Sequence, residues 1–200
     1  MHATTTERTP LVVSNHSYWN LDGHSSPQTT SVHSHKLQIR ASRISALGDL
    51  YVPTGALKQV TGTAHDFNSP RTVGERWSAK ELIRDGDVVG YNDNWIYDAP
   101  SSPTEAALTL TSPTSGIKME MRTNQPSVVL YSAIYLDGVT RKGPGGGVYK
   151  PASGLAIEHQ AHADAINHPE WGVDVVLDPS DEYNWWTSTR FSTVVPSGSK

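Results

Sequence analysis

Apolar and polar residues alternate along several short stretches of this chain. Leu37, Ile39 and Ala41 in HKLQIRA, Leu108 and Leu110 in ALTLT, and Ile117, Met119 and Met121 in IKMEM each occupy every second position. A period of two puts such residues on one face of a pleated strand, so each stretch predicts a half-buried β-strand. YNWWTSTRF sets Tyr183, Trp185, Thr187, Thr189 and Phe191 on one face and predicts a C-terminal strand that closes a sheet. The apolar run at 11–13 predicts one more strand. A helical signal occurs only at 78–86, with Ser78 as N-cap, Glu81 completing a capping box and Gly86 as the stop, for two turns at most. Sixteen Gly and 13 Pro spread through 200 residues break the rest into short segments. Many short strands between turns predict an all-β chain, an antiparallel sandwich or barrel. With no fixed-period repeat and no shift in composition, residues 1–200 are expected to form a single domain.

Composition narrows the function. Hydrophobic residues make up 36%, and six Trp with eight Tyr supply large surfaces for a core. The net charge of -4, without a basic block, argues against nucleic-acid binding. The absence of Cys excludes disulfides, thiolate metal sites and thiol nucleophiles. No aliphatic run exceeds three residues, far short of the roughly 20 that a membrane-spanning helix needs. The opening residues, MHATTTERTP, have neither part of a secretory signal, which gives a cytoplasmic expectation.

The candidate chemistry is sparse. His33 and His35, and His159, His162 and His168, have ligand-like spacing, but no HExxH motif or carboxylate triad accompanies them, so no metal is expected. The Gly-rich run at 143–147 lacks a phosphate-loop frame and predicts a hairpin loop, as loop-like as the tail at 195–200. No GxSxG supplies a nucleophilic serine. Asn15-His16-Ser17 has the form of a glycosylation acceptor, read here as a chance match. Two segments carry more. Asn15-His-Ser-Tyr-Trp-Asn-Leu21 sets an imidazole among aromatics and amides, and Glu158 ends a short apolar run before His159-Gln160. Such a Glu is either a solvated strand-end charge or a general base aimed into a cleft.

Five motifs in register resemble the aldose 1-epimerase (galactose mutarotase) family: the 15–21 segment, Val-Pro-Thr-Gly at 52–55, Gly-Thr-Ala-His-Asp-Phe at 62–67, Ile-Glu-His-Gln through Asn-His-Pro at 157–169, and the closing Tyr…Thr…Phe stretch. The resemblance implies a galactose mutarotase-like antiparallel β-sandwich. It also implies an isomerase that interconverts the α and β anomers of free hexoses, such as glucose or galactose, by acid/base ring opening without cofactor. Carried onto this chain, the general base falls on Glu158 and the general acid on His16. Tyr18 and Trp19 are candidates to lie against sugar faces.

The departures are specific. Where the family usually reads Tyr-Asp-His-Asn, with the Asp binding sugar hydroxyls, this chain reads Tyr91-Asn92-Asp93-Asn94, so either Asn92 or Asp93 is the candidate substrate contact. Where the family often has Gln after Gln-Pro-Gly, this chain has Val129. The family's upstream strands, with an Arg, an Asn and another His for the pocket, have no counterpart here. The expectation is therefore an N-terminally truncated sandwich with exposed edges and weakened substrate clamping. A non-catalytic carbohydrate-binding or regulatory module on the same sandwich is the alternative reading.

Overall fold

The computed structural model describes residues 1–23, 30–84, 88–99, 104–136, 138–140 and 146–194. Its principal strands, in chain order, are β1 (Tyr18–Trp19), β2 (Lys36–Ile39), β3 (Arg43–Leu47), β4 (Pro53–Gln59), β5 (Arg71–Thr72), β6 (Asn92–Ile96), β7 (Leu108–Thr111), β8 (Ile117–Thr123), β9 (Ser127–Tyr131), β10 (Leu155–Gln160) and β11 (Thr187–Thr193). They form a five-stranded sheet, ordered β11-β8-β7-β2-β5, and a six-stranded sheet, ordered β1-β10-β9-β6-β3-β4. Neighbouring strands pair antiparallel.

The alternating residues build the core between the sheets. In the five-stranded sheet Leu37 and Met119 both oppose Leu110, while Ile39 and Met121 both oppose Leu108, giving two apolar rows across three strands. These rows share one buried cluster with Ile44, Trp95, Val128, Leu130, Leu155 and Ile157 of the other sheet. Each such side chain contributes about 1.5–3 kcal/mol on leaving water. The result is an antiparallel β-sandwich, as the alternation predicts.

Three expectations are corrected. The stretch from Tyr183 to Phe191 is not one strand: Tyr183–Asn184 pairs with His2–Ala3, and only Thr187–Thr193 joins β8 as the edge of its sheet. The break is a pinned corner, where Trp185 Nε1 donates to His159 O at 2.8 Å and Trp186 N donates to Asn124 Oδ1 at 3.0 Å. Among the described residues 78–84 there is a single 3-10 turn, Lys80–Leu82, and Ser78 does not cap it. The Glu81 carboxylate accepts from Ala64 N instead, at 2.8 Å, and Gly86 lies outside the described residues. The run at 11–13 is not a strand; Thr9–Pro10 pairs with Val176–Leu177, and Leu11 N donates to Val175 O. The Gly-rich loop is described only from Gly146, beside a ladder between Val139–Thr140 and Val148–Tyr149, and 195–200 lies outside the described residues.

Gly55, at the edge strand β4, shows why its motif needs glycine. Its φ is +87°, and a Cβ there would lie 2.9 Å from both Glu170 Oε1 and His168 Nδ1. The turn after β10 presses onto this backbone, with Trp171 Nε1 donating to Gly55 O at 2.8 Å. Gly55→Ala combines a strained dihedral with a clash and is expected to cost about 1–3 kcal/mol. A thermal melt measures it; an unchanged midpoint contradicts the account.

Candidate active site

The strand β10 lies between β1 and β9, and its alternation sorts its side chains. Leu155 and Ile157 enter the core, so Ala156, Glu158 and Gln160 face the outer side of the six-stranded sheet. Glu158 directly opposes Val129, which opposes Asn94 on its other side. One row further along, Tyr131 lies between Ala156 and Asn92, and Ala156 also opposes Tyr18. A single sheet face thus carries Glu158, Val129, Tyr131, Tyr18, Asn92 and Asn94.

His16 reaches this face from the segment before β1. Asn15 Oδ1 accepts from Ser17 N at 2.9 Å, an Asx turn that turns the chain at the histidine. Ser14 Oγ donates to His159 O at 3.1 Å, fastening the segment to the strand that carries Glu158. His16 Nε2 consequently lies 3.3 Å from Glu158 Oε1. The imidazole packs against Tyr18 at 5.1 Å and Tyr131 at 6.3 Å between ring centroids. His16 is open and Glu158 sheltered, with side-chain exposures of 53% and 14%. Residues 16 and 158 are distant in sequence, and the β1–β10 pairing brings them together.

Burial pushes the Glu158 carboxyl above its ordinary value, and the neighbouring His16 partly opposes the shift. With a folded-state pKa above the unfolded one, Glu158 favours the fold while protonated and loses that contribution as pH rises through the raised value. A carbon-13 NMR titration should therefore place the Glu158 midpoint above the ~4.3 of a free glutamate. His16→Gln should raise it further, because the neighbouring imidazole that lowers it is gone. A midpoint at or below the free value would contradict this electrostatic picture.

The two candidates at the altered motif separate. Asn92 shares the face of Glu158, in the row of Tyr131. Asp93 takes the opposite side of β6, buried beside Leu130 and Trp95. Its carboxylate pairs with Arg84 and lies 3.2 Å from His65 Nε2. Burial pushes the Asp93 carboxyl up, but His65, Arg84 and the Asn92 N–H outweigh it and hold the group below its usual range. A cavity of 260 Å³ adjoins this cluster, lined by Lys58, Glu81 and Arg84 among others, and neither Glu158 nor His16 borders it. Trp19 likewise turns from the site, packing on Phe191 at 5.7 Å, whereas Tyr18 stays. Asn94 is committed: its Nδ2 donates to Ser127 Oγ, and its Oδ1 accepts from Ser45 Oγ and Ala163 N.

The histidines with ligand-like spacing take separate partners. His35 Nε2 accepts from Leu21 N at 3.0 Å, and His33 lies 4.2 Å from the Trp77 ring. His159 stacks on Tyr97, and burial pushes its pKa down to about 4. His162 meets Trp171, and His168 Nδ1 meets Glu170 Oε1. Among the described residues, no three His, Cys, Asp or Glu gather as metal ligands, and no helix is long and apolar enough to cross a membrane. Tyr131 and Ser14 were not singled out from the sequence. Tyr131 shares the parity of Val129 along β9, the one signal that pointed to it, whereas Ser14 acts through a strand far along the chain.

Comparisons with known proteins identify relatives of this chain. The family model described as aldose 1-epimerase matches residues 1–190. Galactose mutarotase of Mus musculus is 33% identical over 190 residues, 95% of this chain and 52% of the relative. Aldose 1-epimerase of Escherichia coli is 32% identical over 193 residues, 94% of this chain and 53% of its own length. A solved GalM/aldose epimerase homologue from C. elegans superposes with a TM-score of 0.79 at 31% identity, covering 97% of this chain and 55% of that one. This chain thus spans about half the length of the curated relatives it matches. On the family match along nearly its whole length, the chain belongs to the aldose 1-epimerase family.

Proposed function

We propose that this chain interconverts the α and β anomers of a free hexose, with Glu158 as general base and His16 as general acid. The observation that carries the reading is their 3.3 Å approach on one sheet face. The reacting oxygens, the anomeric hydroxyl and the ring oxygen, share one carbon, so acid and base must converge on a single point. Glu158 takes the anomeric hydroxyl proton, the bond from the anomeric carbon to the ring oxygen breaks, and His16 protonates the ring oxygen. The product is the open-chain aldehyde. Rotation about the bond between the first two carbons presents the other carbonyl face. The hydroxyl then returns its proton to His16 as it attacks, and Glu158 protonates the new anomeric oxygen. Each positioned proton-transfer group typically contributes about 10²–10⁴-fold. A base with a raised pKa lies nearer the operating pH, which suits the task.

Asn92 is the substrate contact that this reading favours at the altered motif, because Asp93 is engaged by Arg84 and His65. Polarimetry on freshly dissolved α-D-glucose or α-D-galactose tests the proposal: equilibration faster than buffer supports it, and a rate equal to buffer removes it. Val129, without a donor beside the base, favours a second reading, a carbohydrate-binding module without turnover. Calorimetric hexose binding with no anomer exchange would select that reading.

A further inference from the structure

We propose that Tyr131 determines substrate specificity, its hydroxyl donating a hydrogen bond to one hydroxyl of the bound hexose. This rests on the sugar-binding site proposed above. The residue between Glu158 and Asn94 on the open face is Val129, which has nothing to donate. Asn94 is itself fully engaged, with both its amide nitrogen and its oxygen taken by protein partners. Tyr131, two residues beyond Val129, projects on the same face of β9 and packs edge-on against His16 and Tyr18, at 6.3 and 6.1 Å between ring centroids. A phenol has one proton to give and lone pairs to receive. Here a lone pair is taken: Tyr135 N donates to Tyr131 Oη at 2.9 Å. That bond fixes the oxygen from the loop side and leaves the phenolic proton for a sugar oxygen lying against His16 and Glu158.

The contact is neutral, and such a bond changes affinity by about 2- to 10-fold. A site that offers a donor to a hydroxyl discriminates against the sugar lacking it. The experiment compares D-galactose, D-glucose and their monodeoxy analogues, by calorimetric binding and by polarimetry, in the wild-type chain and in Tyr131→Phe. That substitution retains the ring packing on His16 and Tyr18. The expected result is a penalty of about 2- to 10-fold for one deoxy position in the wild type, lost in Tyr131→Phe, while the penalties at other positions persist. A merely structural role, holding the Tyr135 loop, would weaken all sugars alike and leave the pattern intact; that outcome overturns the proposal. So does a wild type that treats every deoxy analogue as the parent sugar, a result that does not depend on the variant folding. Polarimetry alone at the buffer rate defeats the mutarotase reading, whereas the binding pattern still decides the role of Tyr131.

Discussion

Glu158→Gln lowers the rate of anomer equilibration by about 10²–10⁴-fold. The substitution keeps the size of the side chain and its hydrogen-bonding capacity toward His16, 3.3 Å away, and removes only the ability to take a proton. The barrier rises by about 3–5 kcal/mol, the conversion of that rate factor. Stability moves the other way or not at all, since a carboxyl sheltered from solvent beside a half-exposed imidazole is replaced by a neutral amide. Polarimetry with a thermal melt on the same sample separates the two effects. A variant as fast as the wild type takes the base role from Glu158, and a variant that is slow only because it is unfolded shows this in the melt.

Asp93→Asn has the largest expected effect on stability. Arg84 and Asp93 are buried as a pair, with side-chain exposures of 7% and 5%, and His65 joins them at 6%. Removing the anion strands a guanidinium out of water, a change that costs about 3–5 kcal/mol. For a chain of 200 residues this lowers the thermal midpoint by roughly 6–20 °C. The pH dependence follows from the lowered pKa: the stabilisation is present above the unfolded carboxylate value and is lost as pH falls through the folded one. The variant's melting curve therefore converges with that of the wild type in acid. A variant of unchanged stability whose sugar binding is lost would return Asp93 to the site as a substrate contact.

Much of this architecture is legible in the sequence because strand alternation is a local property. Leu37, Ile39, Leu108, Leu110, Met119 and Met121 needed only their own neighbours to declare a buried face, and all six are in the core. The same parity, applied to the altered motif, divides Asn92 from Asp93 and Tyr18 from Trp19, since adjacent strand residues cannot share a face. The failures have a common cause in partners remote along the chain. Glu81 has the spacing of a capping box but is recruited by the Ala64 amide, which leaves the helix a single turn. The aromatic run through Trp185 and Trp186 reads as continuous strand until Asn124 and the His159 carbonyl bend it. The pairing of His16 with Glu158 became visible only through motif resemblance. Nothing local to His16 announces Glu158.

One acceptor has a consequence for biosynthesis. The His159 carbonyl receives Ser14 Oγ from the segment that carries His16, and the Trp185 indole from the corner before β11. Early and late portions of the polypeptide are thus knotted to the same oxygen, beside the residue that follows Glu158. During translation the imidazole has no carboxylate to meet until β10 has cleared the ribosome, and its tether is not sealed until Trp185 follows. A chain interrupted between the two would hold His16 beside Glu158 with only one of the two donors on that carbonyl.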